Sequence, residues 1–435
     1  MSTQSGVGPG SRGAATTSSQ RRRAVAAATI GSALEWYDFI VYSFFAAMIG
    51  KVFFPASLPN TQLLIGLATF GVGFFMRPLG AIVLGIYGDR RGRRASLTLT
   101  IALMIVGLLI LTFVPTYASI GYLAPVLVVL ARLFQGFSAG GEFGATTSYM
   151  TEYALKDHRG FYVSWQMASQ YAASLLGGIV AFAVSASLSH DALAAYGWRI
   201  PFAIGLLIGP VGYYIRRRLD DTPAFLAQAK PPEAPLLDTL RNHMRMVLCT
   251  FGLTIAGTVT VYVLVLFLPT YAVRQFHLPQ SSAFATTALM SLVAGLWCLF
   301  IGWLSDRVGR RGLVIASTAV LVVVTYPLFA FLAAAPSVTR LVIVELVFAI
   351  VIGTFAGVGP TLMAEQFPTR VRNTALALAY NFAVAIFGGF GQFIVAWLII
   401  KTGDVLAPSY YVVAASVVGT IAGIMMPDRT GQALE

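Results

Sequence analysis

The chain has 435 residues, of which 57% are hydrophobic and only 11% are charged, and its formal net charge is +12. A soluble domain carries roughly 25% charged residues, so this composition excludes a soluble globular protein and indicates a polytopic membrane protein. The two cysteines, Cys249 and Cys298, both lie in apolar runs and form no pattern typical of a disulfide framework or a metal site.

Twelve apolar segments follow one another, and each approaches the ~20 residues that a helix needs to cross a bilayer. They lie at about 24–49, 62–87, 95–114, 120–146, 161–187, 199–215, 246–272, 281–304, 313–333, 338–363, 374–400 and 408–426. Residues 216–245 form the one long polar interruption, rich in charge and proline. The sequence therefore predicts an all-α integral membrane protein of twelve transmembrane helices.

The polar interruption predicts the division of the chain. Six helices fall in an N-terminal half at 24–215 and six in a C-terminal half at 246–427, joined by a cytoplasmic linker at 216–245. Residues 1–23, which begin with a Gly-, Ser- and Thr-rich stretch, are expected to be a disordered cytoplasmic segment. Residues 428–435 are expected to form a short cytoplasmic tail.

The basic residues predict the orientation. Most of the 29 Lys and Arg residues fall in segments on the same side as the N-terminus. Since cytoplasmic loops carry the excess of Lys and Arg, both termini are predicted to be cytoplasmic. This distribution explains the net positive charge by attraction to an anionic lipid surface and argues against nucleic acid as a partner.

One loop motif occurs twice, between the second and third helices of each half. Residues 85–94 read GIYGDRRGRR and residues 302–311 read GWLSDRVGRR, so both fit G-x-x-x-D-R-x-G-R-R. A second repeat places Glu152 and Arg159 at the same spacing as Glu365 and Arg372. Matching repeats in a chain this hydrophobic indicate two copies of one membrane unit.

Four charged residues fall inside predicted helices of the N-terminal half. Glu35 and Asp38 lie in the first helix, Arg77 in the second and Arg132 in the fourth. At a rise of 1.5 Å per residue, each lies roughly 15–21 Å from one end of its helix, near the middle of the membrane. An unpaired charge there is strongly unfavourable, so we expect acids and arginines to pair or to contact a cavity. A purely structural ion-pair network is one interpretation.

The other interpretation gives these residues functional roles. A carboxylate in a low dielectric favours its protonated form unless a cation pairs with it, which suits Asp38 and Glu35 to proton coupling. The guanidinium of Arg132 or Arg77 can bind a substrate carboxylate through two hydrogen bonds. Protonation of the acid would free an arginine for the substrate, which would couple proton movement to anion movement.

Uncharged polar residues extend the predicted substrate site. Gln166 and Gln170 lie on one face of the fifth helix, and Tyr262 and Asn381 lie in helices of the C-terminal half. We expect these four residues to orient the ligand, with hydrogen bonding between helices as the alternative.

Residues 136–140, Gly-Phe-Ser-Ala-Gly, match the G-x-S-x-G pattern of hydrolases. That pattern requires a strand–turn–helix context and a histidine partner, whereas here it lies within an apolar helix. No phosphate-binding loop pattern occurs either. The chain is therefore not expected to be an enzyme or to need a cofactor.

A further set of motifs is specific as a group. They are EWYDF at 35–39, KVFFP at 51–55, RPLG at 77–80, RLFQGFSAGGE at 132–142, GWRIPF at 197–202 and EQFPTRVR at 365–372. Together with the repeated loop, they resemble the major facilitator superfamily, and within it the metabolite:proton symporter branch, over about residues 20–427. The branch includes carriers of citrate, tricarballylate, α-ketoglutarate, shikimate and aromatic acids, and of proline/betaine.

The resemblance implies a monomeric, multi-pass transporter of the bacterial inner membrane. Its expected partners are protons, the lipid bilayer and a small organic anion that is citrate-like or α-ketoglutarate-like. Residues 160–166 and 385–389 look most like citrate carriers, whereas 408–411 look like osmolyte carriers. Many members have asparagine where Ser32 stands here, so the substrate contact at that position differs. A proline/betaine-type symporter, a drug or product exporter and a metabolite sensor are the alternatives.

The repeated loops are predicted to hold the inner gate shut rather than to bind substrate. Their acids can meet helix N-termini, and their arginines can meet glutamates at the same membrane surface. The predicted gating residues are Asp89, Arg90, Arg93, Glu142, Glu152, Asp306, Arg307, Arg310, Glu365 and Arg372.

Overall fold

The computed structural model of the chain describes residues 18–55, 58–91, 93–217 and 235–434. Most of the two segments predicted to be a disordered N-terminus (1–23) and a linker (216–245) lies outside these residues. Every regular element within the described ranges is helical.

The helices up to residue 217, before the gap at 218–234, are called the first half. They are α1 (Ser18–Phe53), α2 (Pro59–Arg91), α3 (Arg93–Phe113), α4 (Leu123–Ala139), α5 (Glu142–Tyr153), α6 (Arg159–Ser187) and α7 (Arg199–Arg217). Short helical turns at Tyr117–Ile120, Lys156–His158 and His190–Gly197 connect some of them.

The helices after that gap are called the second half. They are α8 (Pro235–Asn242), α9 (Met244–Val261), α10 (Leu268–Phe276), α11 (Gln280–Val308), α12 (Arg311–Ala334), α13 (Val338–Glu365), α14 (Thr369–Ala383), α15 (Gly391–Thr402) and α16 (Ala407–Met425). The loop at residue 309 has a positive φ of 90°, which only glycine adopts without strain, and Gly309 of the second motif copy supplies it.

Eleven helices within the described ranges are long and apolar enough to cross a membrane, and the shorter apolar helix Thr98–Phe113 stands where the third was predicted. The predicted all-α membrane architecture is therefore confirmed. The orientation of the two termini remains a prediction from the basic residues.

Three of the membrane-crossing segments are interrupted near their middles. Gly140 and Gly141 separate α4 from α5. π-helical turns at Tyr262–Phe267 and Val384–Gly388 follow α9 and α14. π-helical turns widen a helix locally and often mark functional positions, and both occur close to polar residues of the predicted substrate site.

The two halves meet along two main seams. Helix α6 of the first half packs along α11 of the second in the most extensive helix–helix contact, and α2 packs against α14, α15 and the π-helical turn between them. Glycines permit the first seam, because a Cβ at Gly302 would collide with the side chain of Ser164 and one at Gly160 would collide with the carbonyl oxygen of Gly302.

Two segments are shielded most completely from lipid. In their most apolar windows, 78% of the residues of Thr29–Phe53 and 83% of those of Met244–Phe276 are buried within the protein. These segments carry Glu35, Asp38 and Tyr262. The polar side chains therefore lie in the centre of the helix bundle, where protein groups rather than lipid can satisfy them.

Candidate functional site

Asp38 and Arg132 form a fully buried ion pair. The Arg132 Nη1 atom lies 3.0 Å from Asp38 Oδ2, and neither side chain is exposed to any measurable extent. The same nitrogen donates a hydrogen bond of 2.6 Å to Gln135 Oε1, one helical turn further along α4. Asp38 Oδ1 and Arg132 Nη2 have no hydrogen-bond partner among the described residues. The pair therefore retains polar atoms for a change of partner.

Aromatic rings enclose the Arg132 guanidinium. Its carbon lies 4.4 Å from the ring centroid of Tyr42, 5.2 Å from that of Phe39 and 5.3 Å from that of Phe70. Ring faces attract a cation more strongly where water is excluded. The rings thus add to the stabilisation of the Arg132 guanidinium that Asp38 and Gln135 provide.

Glu35 and Arg77 form a second, looser pair one helical turn away on α1. Arg77 Nη1 lies 3.6 Å from Glu35 Oε1, and the Glu35 side chain is 12% exposed. The Arg77 Nε atom donates to Asn381 Oδ1 at 3.2 Å and its Nη2 atom to the Ala139 carbonyl oxygen at 3.4 Å. Arg77 consequently joins an acid of the first half to a residue of the second.

Asn381 makes contacts between helices. Its Nδ2 atom donates to the carbonyl oxygens of Gly140, at 2.8 Å, and Ala377, at 2.9 Å. The Gly140 bond reaches the break between α4 and α5, because that break leaves carbonyl oxygens outside the regular helix ladder. The structure therefore places Asn381 in the seam between the halves.

A cavity lies between the halves. Six aromatic side chains line it: Trp36, Phe143, Tyr171, Tyr262, Phe355 and Tyr380. Polar groups in its wall include Gln170, Thr254 and Thr258. A cavity with a mainly apolar wall and few polar groups is typical of a small-molecule site.

Of the seven predicted substrate residues, two line the cavity and five do not. Gln170 and Tyr262 line the cavity, and Ser32 lies behind Gln170, whose Nε2 atom donates to Ser32 Oγ at 3.0 Å. Arg77 stands behind the cavity wall, with its guanidinium 5.8 Å from the ring centroid of Tyr380. Arg132, Gln166 and Asn381 do not line the cavity; Gln166 accepts a hydrogen bond from Thr147 instead.

Ion pairs cross between the halves at the end of the bundle predicted to face the cytoplasm. Arg159 of the first half lies 3.4 Å from Glu365 of the second. Arg372 of the second half lies 3.1 Å from Glu152 of the first. The two Glu–Arg repeats in the sequence are thus exchanged, since each arginine pairs with the glutamate of the other repeat.

Asp306 of the second motif copy also crosses between the halves. Its carboxylate accepts hydrogen bonds from the backbone nitrogens of Gly160, at 2.8 Å, and Phe161, at 3.0 Å, in the first turn of α6. Arg310 binds Asp306 at 2.6 Å and Glu365 at 3.0 Å. A carboxylate is stabilised at a helix N-terminus, so this copy of the motif fastens α11 to α6.

The remaining predicted gating residues do not join this cluster in the same way. Arg307 is exposed, and its guanidinium stacks 3.9 Å from the ring centroid of Trp303 in its own helix. Glu142 is buried and accepts a long hydrogen bond of 3.5 Å from Thr146. The side chains of Asp89, Arg90 and Arg93 lie outside the described part of the chain.

The family model described as Major Facilitator Superfamily matches residues 29–392. The chain belongs to the major facilitator superfamily. It is therefore a membrane transporter rather than an enzyme, and a multi-pass protein of the bacterial inner membrane.

Known relatives agree with this assignment to the major facilitator superfamily. The chain is 38% identical to the citrate-proton symporter of Salmonella typhi, over 93% of both chains. It is 35% identical to the proline/betaine transporter of Salmonella typhimurium, over 95% of this chain and 85% of the relative. The solved structure of the proton:xylose symporter XylE bound to 6-bromo-6-deoxy-D-glucose has the same fold, with a TM-score of 0.79 at 19% identity over 96% of this chain and 98% of that one.

Several site residues of this major facilitator protein were not predicted from its sequence. Gln135 and Tyr42 contact Arg132, and Arg159 bridges the halves. Trp36 lines the cavity. The Glu–Arg spacing that occurs in both halves could have identified Arg159. Nothing in the sequence distinguishes an aromatic residue that lines a cavity from one that is packed in the core.

Proposed function

We propose that the chain is a proton-coupled symporter that imports a small organic carboxylate by alternating access. The observation that carries this proposal is the presence of two buried acid–arginine pairs beside a cavity between the halves. Relatives named as citrate-proton symporters, at moderate identity, support the same class of substrate.

The Asp38–Arg132 pair is proposed to hold the transported proton. Both groups are fully buried, so each charge depends on the other for its stabilisation. Protonation of Asp38 would leave Arg132 held by Gln135 and by three aromatic rings. The arginine then has hydrogen-bonding capacity for a new partner, and the energetic balance between conformations changes with the proton.

The Glu35–Arg77 pair is proposed to respond to the substrate. The pair is longer than the Asp38–Arg132 pair, and Arg77 stands directly behind the Tyr380 side of the cavity wall. A substrate carboxylate can compete with Glu35 for the Arg77 guanidinium, because both offer the same pair of oxygens. Gln170 and Tyr262 would bind the rest of the ligand.

A zwitterionic osmolyte is the second candidate substrate, and the cavity lining favours it. Six aromatic side chains surround the space, and ring faces bind quaternary ammonium groups. A betaine could place its ammonium group among these rings and its carboxylate towards Arg77. The proline/betaine transporter of Salmonella typhimurium is a relative at 35% identity.

Competition for uptake separates the two candidates. The purified protein in liposomes, given an inward proton gradient, is assayed with radiolabelled citrate, α-ketoglutarate and glycine betaine. Carboxylate transport predicts uptake of one of the acids that excess betaine does not reduce. Uptake of betaine that excess citrate does not reduce would contradict the carboxylate proposal and support the osmolyte one.

A further inference from the structure

A second, smaller cavity lies at the cytoplasmic end proposed for the bundle, away from the aromatic cavity. Arg159, Arg372 and Arg429 line it, and Glu365 is the one acid in its described wall. Glu152, outside this wall, pairs with Arg372, so Arg429 supplies the excess of positive charge at the cavity.

Two of these arginines have nitrogen atoms with no partner. Arg159 is 5% exposed and Arg372 is fully buried. Arg159 Nη1 binds Glu365 and the carbonyl oxygen of Gln432, while its Nε atom is unpartnered among the described residues. Arg372 Nε donates to the Ala364 carbonyl oxygen and its Nη1 atom to Glu152, while its Nη2 atom has no partner among the described residues.

A buried donor without a partner destabilises the folded state, and more so when the group is charged. Guanidinium groups that converge on one space satisfy such donors by binding an oxyanion, with a geometry that suits phosphate. An oxyanion would also offset the charge of Arg429, which no acid in the described wall balances.

The segment after α16 completes the cavity. The Gln366 side chain donates to the Pro427 carbonyl oxygen at 3.2 Å, and the Arg310 backbone nitrogen donates to Thr430 Oγ1 at 3.2 Å. These bonds hold the segment 427–434 against α13 and the second motif copy, with Arg429 at the cavity. The wall thus combines Arg159 from the first half with Arg372 and Arg429 from the second.

We propose that Arg159, Arg372 and Arg429 form a binding site for a phosphate oxyanion, which bridges the two halves and stabilises the conformation in which they are joined at this end. The site is separate from the substrate cavity. Its ligand is either free phosphate or the phosphate of a lipid headgroup, because both present the same oxygens to the arginines.

Thermal unfolding of the full-length protein in detergent tests the site. Inorganic phosphate is titrated at constant ionic strength against chloride, because a ligand that binds the folded state raises the midpoint in a saturable way. Arg429→Gln removes one charged donor, for which we expect about a tenfold higher half-saturating phosphate concentration. Arg429 is suitable because its side chain makes no hydrogen bond or ion pair in the described part of the chain.

Arg307→Gln is the matched control, because Arg307 is an exposed arginine of the neighbouring motif that lies outside the cavity. Its half-saturating concentration should equal that of the wild type. Phosphatidylglycerol added to phosphate-free micelles distinguishes the source of the oxyanion. If inorganic phosphate raises the unfolding midpoint and the rise depends on Arg429, the ligand is the free anion. If only the lipid raises the midpoint in this way, the ligand is the headgroup. No saturable rise with either, or equal half-saturation in Arg429→Gln and the wild type, would overturn the proposal.

Discussion

The ion pair between Asp38 and Arg132 places two full charges where neither side chain is exposed. Removal of two charges from water is costly, and their attraction compensates only while both remain. Gln135 and the Tyr42 ring add to the stabilisation of the arginine, but the described contacts of Asp38 include no cation other than Arg132. The stability of the Asp38 charge therefore depends on the ion pair more than that of the Arg132 charge does.

Removal of the arginine alone should destabilise the protein. Arg132→Gln leaves Asp38 as a buried carboxylate without its cation, for which we expect a loss of about 3–5 kcal/mol. The double variant Asp38→Asn/Arg132→Gln should recover part of that loss, because it removes both charges. Thermal unfolding of the purified proteins measures both effects, with Arg241→Gln, at an exposed arginine, as the control. A double variant less stable than Arg132→Gln would contradict this dependence.

The second motif copy determines how closely helices α6 and α11 approach each other. Gly302 leaves room for Ser164 and for the Gly160 backbone, and one turn later Asp306 accepts two backbone hydrogen bonds at the start of α6. The pattern G-x-x-x-D thus combines a close approach with a carboxylate at a helix N-terminus. The repetition of this glycine and aspartate in the sequence indicates that the two loops have the same function. It does not show which helix each loop contacts.

A single added methyl group should disturb this seam. Gly302→Ala places a Cβ against the side chain of Ser164, and such overpacking costs about 1–3 kcal/mol. We expect a lower unfolding temperature and slower uptake. Gly312→Ala is the matched control, because a Cβ at Gly312 meets no atom within 4 Å. Equal uptake rates and unfolding temperatures for the two variants would show that the close approach is unimportant.

The whole molecule is held together by contacts on both sides of the aromatic cavity. On one side, Phe44 stacks on Phe284 with 4.8 Å between ring centroids, and the Ser43 hydroxyl donates to Gln392 at 2.7 Å. On the other side lie the exchanged ion pairs of the two Glu–Arg repeats. Alternating access requires one set to separate while the other remains.

The single pair Arg372–Glu152 should influence that equilibrium. Arg372→Gln removes the ion pair with Glu152. It should increase the population of molecules that are open at the end predicted to face the cytoplasm by about tenfold. Cys298 reports the opening, because it is fully buried in the seam between α6 and α11, with its Sγ atom 3.6 Å from the Ser164 carbonyl oxygen. In a Cys249→Ser background, the rate of maleimide labelling of Cys298 should rise in Arg372→Gln and not in Arg307→Gln. Unchanged labelling in Arg372→Gln would argue against a gating role.

The sequence predicted the fold and the pairing of the four charged residues, for a physical reason. The helix has a fixed rise per residue, and a charge in an apolar run must find a partner, so Glu35, Asp38, Arg77 and Arg132 had to meet. The partners of Asn381 and Gln166 were not predictable in this way. A neutral amide can bind a ligand, a backbone carbonyl or another side chain at similar cost, and only the packing of the halves decides among them.

The most direct test of the coupling proposal compares driven uptake with exchange in the same liposomes. Asp38→Asn removes the proposed proton site while keeping a hydrogen-bonding side chain of the same size, and Asp157→Asn, at an exposed acid, is the control. Asp38→Asn should lose accumulation of the substrate driven by an inward proton gradient, but retain exchange of labelled for unlabelled substrate, since exchange needs no net proton movement. Gradient-driven accumulation by Asp38→Asn at the level of Asp157→Asn would contradict the assignment of Asp38 as the coupling residue.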